Sequence, residues 1–233
     1  MLLLFPLFII VSVLGKVKGG NILYDICRIW ADAWLFSIGI YHKNIYESTH
    51  DFSRQYIFVS NHISYVDIPV MMKAIRRQNF RALGKAELGK IPVFGFMFKQ
   101  AAVSVDRRSP ENRAQSVLTL KSIINKKISV FIFPEGTFNL SQHPLKDFYD
   151  GAFKIAIETQ TPVKPILFLD TYDRLNYKSV FSLSPGRSRA VFLEETRTDD
   201  LSLVDMPVLK EKIYKQMEEG LKRYKASWIE DPA

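Results

Sequence analysis

Cysteine is almost absent from this chain of 233 residues. The single thiol, Cys27, excludes an intramolecular disulfide framework and any Cys-rich zinc site. Histidine is nearly as scarce: His42, His50 and His143 lie scattered away from His62, at spacings that match no metal site, and loop or surface positions suit all three. Long apolar runs are missing as well. Met1 to Leu14 is apolar apart from Ser12, but Pro6 interrupts it, and a spanning helix needs about 20 such residues. No basic region precedes that run and no small-x-small site closes it, so a secretory signal fits poorly. There is no internal repeat, no low-complexity tract, and no linker long enough to set off a second catalytic domain. Paired Cys and His, or a sheet motif with stacking aromatics, would point to nucleic acid; neither is present.

Acidic residues are the remaining shortage. Asp and Glu number 24 against 32 Lys and Arg, a formal charge of +8, which calls for an anionic partner such as lipid or a phosphorylated substrate. The excess is local. Residues 71–108 carry nine basic groups against only Glu87 and Asp106, interleaved with Phe80, Leu83, Ile91, Phe94, Phe96, Met97 and Phe98. A solvated basic face is one reading; exposed aromatics among the charges would instead suit a membrane interface or a lipid phosphate. The 47% hydrophobic content excludes a disordered chain and allows one domain with a sizeable core.

At the N-terminus, Lys16 and Lys18 come directly after the first apolar run, which favours keeping the rest of the chain in the cytoplasm. Ile22 to Tyr46 reads as a second helix, with Ile22, Ile26, Ile29, Ala33, Phe36 and Ile40 at spacings of three and four. Trp30, Trp34, Tyr41 and Tyr46 suit the headgroup level of a bilayer. Residues 1–50 are therefore expected to be a membrane-associated helical pair on or in one leaflet, at the cytoplasmic face; the alternative is that both helices pack as ordinary core.

Residues 51–233 alternate. Strand-like runs occur at Tyr56–Ser60, Arg81–Gly84, Ala101–Val105, Ile128–Phe133, Val163–Phe168 and Arg189–Leu193. Helical patterns occupy Asp67–Arg76, Pro110–Asn125, Tyr149–Thr159 and Pro207–Tyr224. This predicts a single α/β domain with a largely parallel central sheet flanked by helices, its active site beyond the C-terminal strand ends.

Two loops at such ends carry chemistry. Ser60-Asn61-His62-Ile63-Ser64-Tyr65-Val66-Asp67 contains a His and an Asp five apart, a spacing that shares no face of a strand or unbroken helix. With a turn between them, the carboxylate can hold one imidazole tautomer and leave the other nitrogen as a base; Asp67 could also simply cap a helix. Phe133-Pro134-Glu135-Gly136-Thr137 is a tight-turn sequence that also offers a carboxylate for gripping a polar substrate.

Together these blocks resemble the glycerolipid acyltransferase family, of the 1-acylglycerol-3-phosphate (lysophosphatidate) type. Its Asn-His-x4-Asp block is matched by Asn61, His62 and Asp67. A second block is matched by Lys85, Leu88, Ile91, Pro92, Gly95, Asp106 and Arg107, a third by Phe133 to Thr137, and a fourth by Val163 to Ile166. The likeness covers about residues 55–170. It departs at Phe138, where Arg is usual, at Ala101, where Gly is common, and at Pro165-Ile166-Leu167-Phe168, which lacks a second proline.

The resemblance implies an enzyme that moves an acyl group from acyl-CoA or acyl carrier protein to the hydroxyl of lysophosphatidate, giving phosphatidate. His62 would be the base and Asp67 its orienting partner. Glu135, Gly136 and Thr137 would hold the acceptor's polar head, amides around Gly136 the oxyanion, and Lys85 and Arg107 the anion. It implies no metal, no cofactor beyond the thioester co-substrate, and a membrane lipid as partner. Phe138 keeps other acceptors open: glycerol 3-phosphate, or a lyso-ornithine or other lyso-aminolipid. A catalytically inactive lipid-binding protein on the same fold is the non-enzymatic alternative.

Overall fold

Ile57-Phe58-Val59 shows how the molecule is organised. Ile57 and Val59 enter one apolar cluster and Phe58 a second on the other side of a sheet, all three fully buried. Val130-Phe131-Ile132 and Ile166-Leu167-Phe168 alternate in the same way, so both faces of the sheet are covered. The computed structural model describes residues 5–91, 94–105 and 109–229.

In chain order the elements are α1 (Phe5–Ser12), α2 (Gly20–Ser37), β1 (Ile40–Tyr46), β2 (Ile57–Ser60), α3 (Asp67–Ala74), β3 (Phe80–Lys85), α4 (Phe94–Ala101) and β4 (Val103–Val105). They continue with α5 (Pro110–Asn125), β5 (Ser129–Ile132), α6 (Gly151–Glu158), β6 (Val163–Phe168), α7 (Thr171–Arg174), β7 (Gly186–Phe192) and α8 (Met206–Arg223). The sheet runs in the order β1-β7-β6-β2-β5-β3-β4. Strands β6, β2, β5, β3 and β4 are mutually parallel; β7 joins β6 antiparallel and β1 joins β7 parallel. The α/β domain with a largely parallel sheet is thus as expected. Leu209, Ile213, Met217 and Leu221 of α8 pack with Phe153 and Ala156 of α6 on one face, while α1, α2 and α3 cover the other.

Two expectations need correcting. The second N-terminal helix does not reach Tyr46: it stops at Ser37, Gly39 takes a φ of +75°, and Ile40–Tyr46 is an edge strand. A left-handed glycine after an apolar periodic run is a helix stop, and a strand only partly buried shows little alternation by which to find it. The sheet thus draws one strand from the stretch that reads as N-terminal helix. Ala101 likewise closes α4 rather than opening a strand.

The second correction concerns the basic block. Arg81 is buried, and its guanidinium donates to Val17 O at 3.2 Å and Asn21 Oδ1 at 2.8 Å while lying over the Tyr24 ring. Lys73 and Arg76 both pair with Asp32 of α2. Phe80 and Phe98 are core residues, not exposed aromatics. Part of the charge excess therefore rivets α2 to the domain. Replacing Arg81 with Met removes both bonds and leaves Asn21 Oδ1 without this donor in a part-buried seam, and is expected to cost about 1–3 kcal/mol in urea unfolding. Proteolysis should then begin in α1 and α2 ahead of the sheet.

Helix α2 is apolar on two sides. Leu23, Tyr24, Cys27, Ala31 and Leu35 face the core, and burial pushes the Cys27 thiol up to about 12, as fits a packing residue. The stripe picked out by the sequence faces outward: Ile29 is 66% exposed and Phe36 79%, with Ile22 in line. On α1, Phe8 and Val11 are buried while Ile9 and Ile10 are exposed. Among the described residues no helix is long and apolar enough to cross a membrane.

Candidate active site

The parallel strands end at one edge of the sheet, and there β2 delivers His62. Asn61 fixes the root of the loop: its amide donates to Phe168 O at 3.0 Å and accepts from Phe168 N at 2.9 Å, tying the end of β2 to the end of β6. Beyond it lies a tight turn, with Asp67 N–H donating to Ser64 O and Val66 N–H to Ser64 Oγ. This turn brings together two residues five apart. Asp67, the first residue of α3, is fully buried, and its Oδ2 lies 2.8 Å from His62 Nδ1. The same oxygen accepts the N–H groups of Ile63 at 2.8 Å and Ser64 at 2.9 Å. A carboxylate held by two backbone donors at a helix N-terminus is fixed in one position, where the helix dipole favours its charge. It pairs with Nδ1, which leaves Nε2 as the nitrogen able to take a proton.

The imidazole is also held by rings. It stacks on Phe133 with centroids 3.9 Å apart and planes 12° off parallel, and meets the edge of Phe138 at 4.3 Å. Phe138 in turn packs edge-on against Tyr65 at 4.8 Å. The side chain at the position of the resemblance's Arg is thus an aromatic wall beside the imidazole.

Glu135 is 2% exposed. Its Oε1 accepts from His62 N at 2.8 Å and its Oε2 from Lys146 N at 2.9 Å, so the carboxylate braces the His62 loop against the 146 segment. This places it behind the histidine's backbone rather than at an open surface. Gly136 has a φ of +73° and its N–H donates to Phe133 O at 3.0 Å, closing the turn that aims Glu135 inward. That amide is engaged in the turn. Thr137 Oγ1 accepts from Lys146 Nζ at 2.8 Å. Lys85 ends β3, exposed on the same sheet edge, with β5 between β3 and β2. Arg107 lies outside the described residues, as do Pro92 and Asp106; the register pairs Lys85 with Val105 just before them.

Burial pushes the Glu135 carboxyl up to about 7, against the opposing pull of the Lys146 and His62 amides. A carboxyl raised in the folded state contributes stability that is fully present below its unfolded value, near 4.5, and lost as the pH rises through 7. The shift corresponds to about 3 kcal/mol. In chemical denaturation, wild type should therefore lead Glu135→Gln by a margin about that much larger at pH 4.5 than at pH 8.

Two contributors escaped the sequence. Asn139 donates its backbone N–H to His62 O at 2.7 Å, while its Oδ1 accepts from Ser141 N and its Nδ2 donates to His143 O. Asn with Ser two residues on is a turn signal that could have flagged it. Lys146 had no local signal, being a lysine in a loop. Among the described residues no three His, Cys, Asp or Glu side chains group in a way that could hold a metal ion.

A solved structure, the 1-acyl-sn-glycerophosphate (LPA) acyltransferase PlsC from Thermotoga maritima, superposes with a TM-score of 0.73, covering 97% of this chain and 90% of that one at 20% identity. It establishes the fold. In sequence, the chloroplastic 1-acyl-sn-glycerol-3-phosphate acyltransferase BAT2 of Brassica napus is 34% identical over 116 residues, 49% of this chain and 33% of that protein. The 1-acyl-sn-glycerol-3-phosphate acyltransferase alpha of Mus musculus is 29% identical over 167 residues, 71% of this chain and 58% of that one. The chain thus spans about a third to three fifths of the length of these curated relatives. A family model for acyltransferases matches residues 40–169, from the edge strand β1 to the end of β6 and including both site loops. With more than half of its length matched, the chain belongs to the acyltransferase family.

Proposed function

We propose that this chain transfers a fatty acyl group from a thioester, on coenzyme A or acyl carrier protein, to the free hydroxyl of lysophosphatidate, giving phosphatidate for phospholipid synthesis. The observation that carries the reading is the 2.8 Å pair of His62 Nδ1 with a buried Asp67 already held by two backbone amides. His62 Nε2 takes the acceptor hydroxyl's proton as its oxygen attacks the thioester carbonyl, and Asp67 stabilises the resulting imidazolium. The tetrahedral oxyanion faces backbone amides around Gly136. It collapses with loss of the thiolate, to which His62 returns the proton.

Glu135 acts in this scheme by fixing the His62 backbone, and Lys85 with Arg107 supplies charge for the phosphate. The outward stripe of Ile22, Ile29 and Phe36, with the exposed apolar side chains of α1, supports a helical pair lying in one leaflet. Lys16 and Lys18 favour its cytoplasmic side.

A second reading keeps the chemistry and changes the acceptor. Phe138, edge-on to His62, offers no charge to a phosphomonoester, which favours a lyso-aminolipid. An acceptor panel assayed with both donors and scored by product mass separates the two. Preference for lysophosphatidate is expected; inactivity there with turnover of a lyso-aminolipid overturns it.

A further inference from the structure

Exposed apolar side chains carry meaning where several stand together, and Phe181 shares one loop with the exposed Leu183. Phe181 is 94% exposed, the most exposed large apolar side chain among the described residues. Its loop, between α7 and β7, is internally bonded. Phe181 N–H donates to Ser179 Oγ at 3.1 Å, Asn176 N–H to Ser182 Oγ at 3.0 Å, and Ser184 N–H to Arg174 O at 2.9 Å.

The loop adjoins both site loops. Ser64 Oγ donates to Leu175 O, and Tyr177 Oη to Leu140 O at 3.2 Å. Tyr65 and Leu140, on those site loops, are themselves exposed. On its other side the loop meets the end of α2, where Gly186 N–H donates to Gly39 O at 3.0 Å, just beyond Phe36. From Arg174 to Leu193 the chain carries Arg174, Lys178, Arg187 and Arg189, bounded by Asp173, whose carboxylate accepts from Ser227 Oγ at 2.7 Å, and by Glu194. Asp170 takes up Arg189, and more loosely Arg187 at 3.5 Å, which leaves Lys178 as an exposed cation three residues from Phe181.

We propose that the 176–183 loop is a second membrane contact, separate from the N-terminal helices, in which Phe181 inserts at the headgroup–acyl boundary of an anionic phospholipid leaflet. An apolar ring with an exposed lysine three residues away fits that surface, since the ring leaves water while the cation meets a lipid phosphate. The contact would bring the leaflet to the same rim as Tyr65, so the loop and the end of α2 would rest on one plane beside His62.

The test uses the full chain and phosphatidylglycerol–phosphatidylcholine vesicles carrying brominated acyl chains. An environment-sensitive dye is attached through Phe181→Cys in one variant and Phe36→Cys in another, Cys27 being buried. Quenching of the dye at 181 by brominated chains, and loss of quenching in pure phosphatidylcholine, is the expected result. Phe181→Ser should weaken vesicle partitioning about tenfold. A dye at 181 left unquenched while that at 36 is quenched overturns the loop contact and leaves the helical pair untouched. Concentration-dependent dimerisation abolished by Phe181→Ser, without quenching, also overturns it in favour of a second copy of the chain. Neither readout depends on acyl transfer, so failure of the enzymatic reading remains distinguishable.

Discussion

His62→Ala is expected to lower thioester-dependent acyl transfer by about 10² to 10⁴, with kcat and kcat/KM falling together. The reason lies in what the substitution removes and what it leaves. It takes away the proton acceptor and its stacking on Phe133, while the backbone N–H of residue 62 still reaches Glu135 and its carbonyl still receives the Asn139 amide. The loop should therefore keep its course, and stability should fall by about 1–3 kcal/mol, since the buried Asp67 loses its imidazole partner along with the aromatic contact. Product formation, denaturation midpoint and vesicle binding measured on one preparation check all three. An unchanged rate would remove the enzyme's base and with it the proposed mechanism.

Asp67→Asn is expected to cost about 10² to 10³ in kcat, for a reason specific to this site. In a triad where the carboxylate touches only the histidine, an amide can turn its NH2 toward the ring and impose the wrong tautomer. Here Oδ2 accepts from Ile63 and Ser64 as well, so two backbone donors require an oxygen at that place. The amide must then present its oxygen to Nδ1–H and keep the tautomer, and what is lost is the negative charge opposite the imidazolium. Its NH2 falls where Oδ1 now sits, a buried atom with no hydrogen-bond partner, which adds a stability loss of about 1–3 kcal/mol. The measurements are urea unfolding and kcat with the acceptor and thioester saturating. Retention of the wild-type rate would show that Asp67 matters for the turn alone.

Much of the architecture could be read from local pattern. The helix at Pro110–Asn125 and the strand at Val163–Phe168 have the bounds expected of them, because a Pro at the first helical turn and a short run apolar apart from Lys164 are signals carried by adjacent residues. Strand β1 reads as helix because its apolar side chains continue a helical spacing past Gly39, and only pairing with β7 makes that stretch extended. The N-terminal stripe is visible in the sequence, but its facing is not. A helix apolar on two sides gives no local hint of which side meets the sheet.

The site divides in the same way. The residue types and order of Asn61, His62, Asp67 and the Pro134–Thr137 turn belong to the sequence by itself, since the chemistry of a base, its partner and a tight turn is written in side chains and short spacings. So does the excess of basic groups. Only the tertiary structure decided what each group faces. It sent Arg81, Lys73 and Arg76 to the N-terminal helices, Glu135 behind the histidine's backbone, and Phe138 against its ring. Partners such as Glu135 and Lys146, or His62 and Asn139, are brought together by loops that leave neighbouring strands at one sheet edge. No spacing along the chain encodes a contact made across a sheet, because it depends on strand order, and strand order is settled by burying both faces at once.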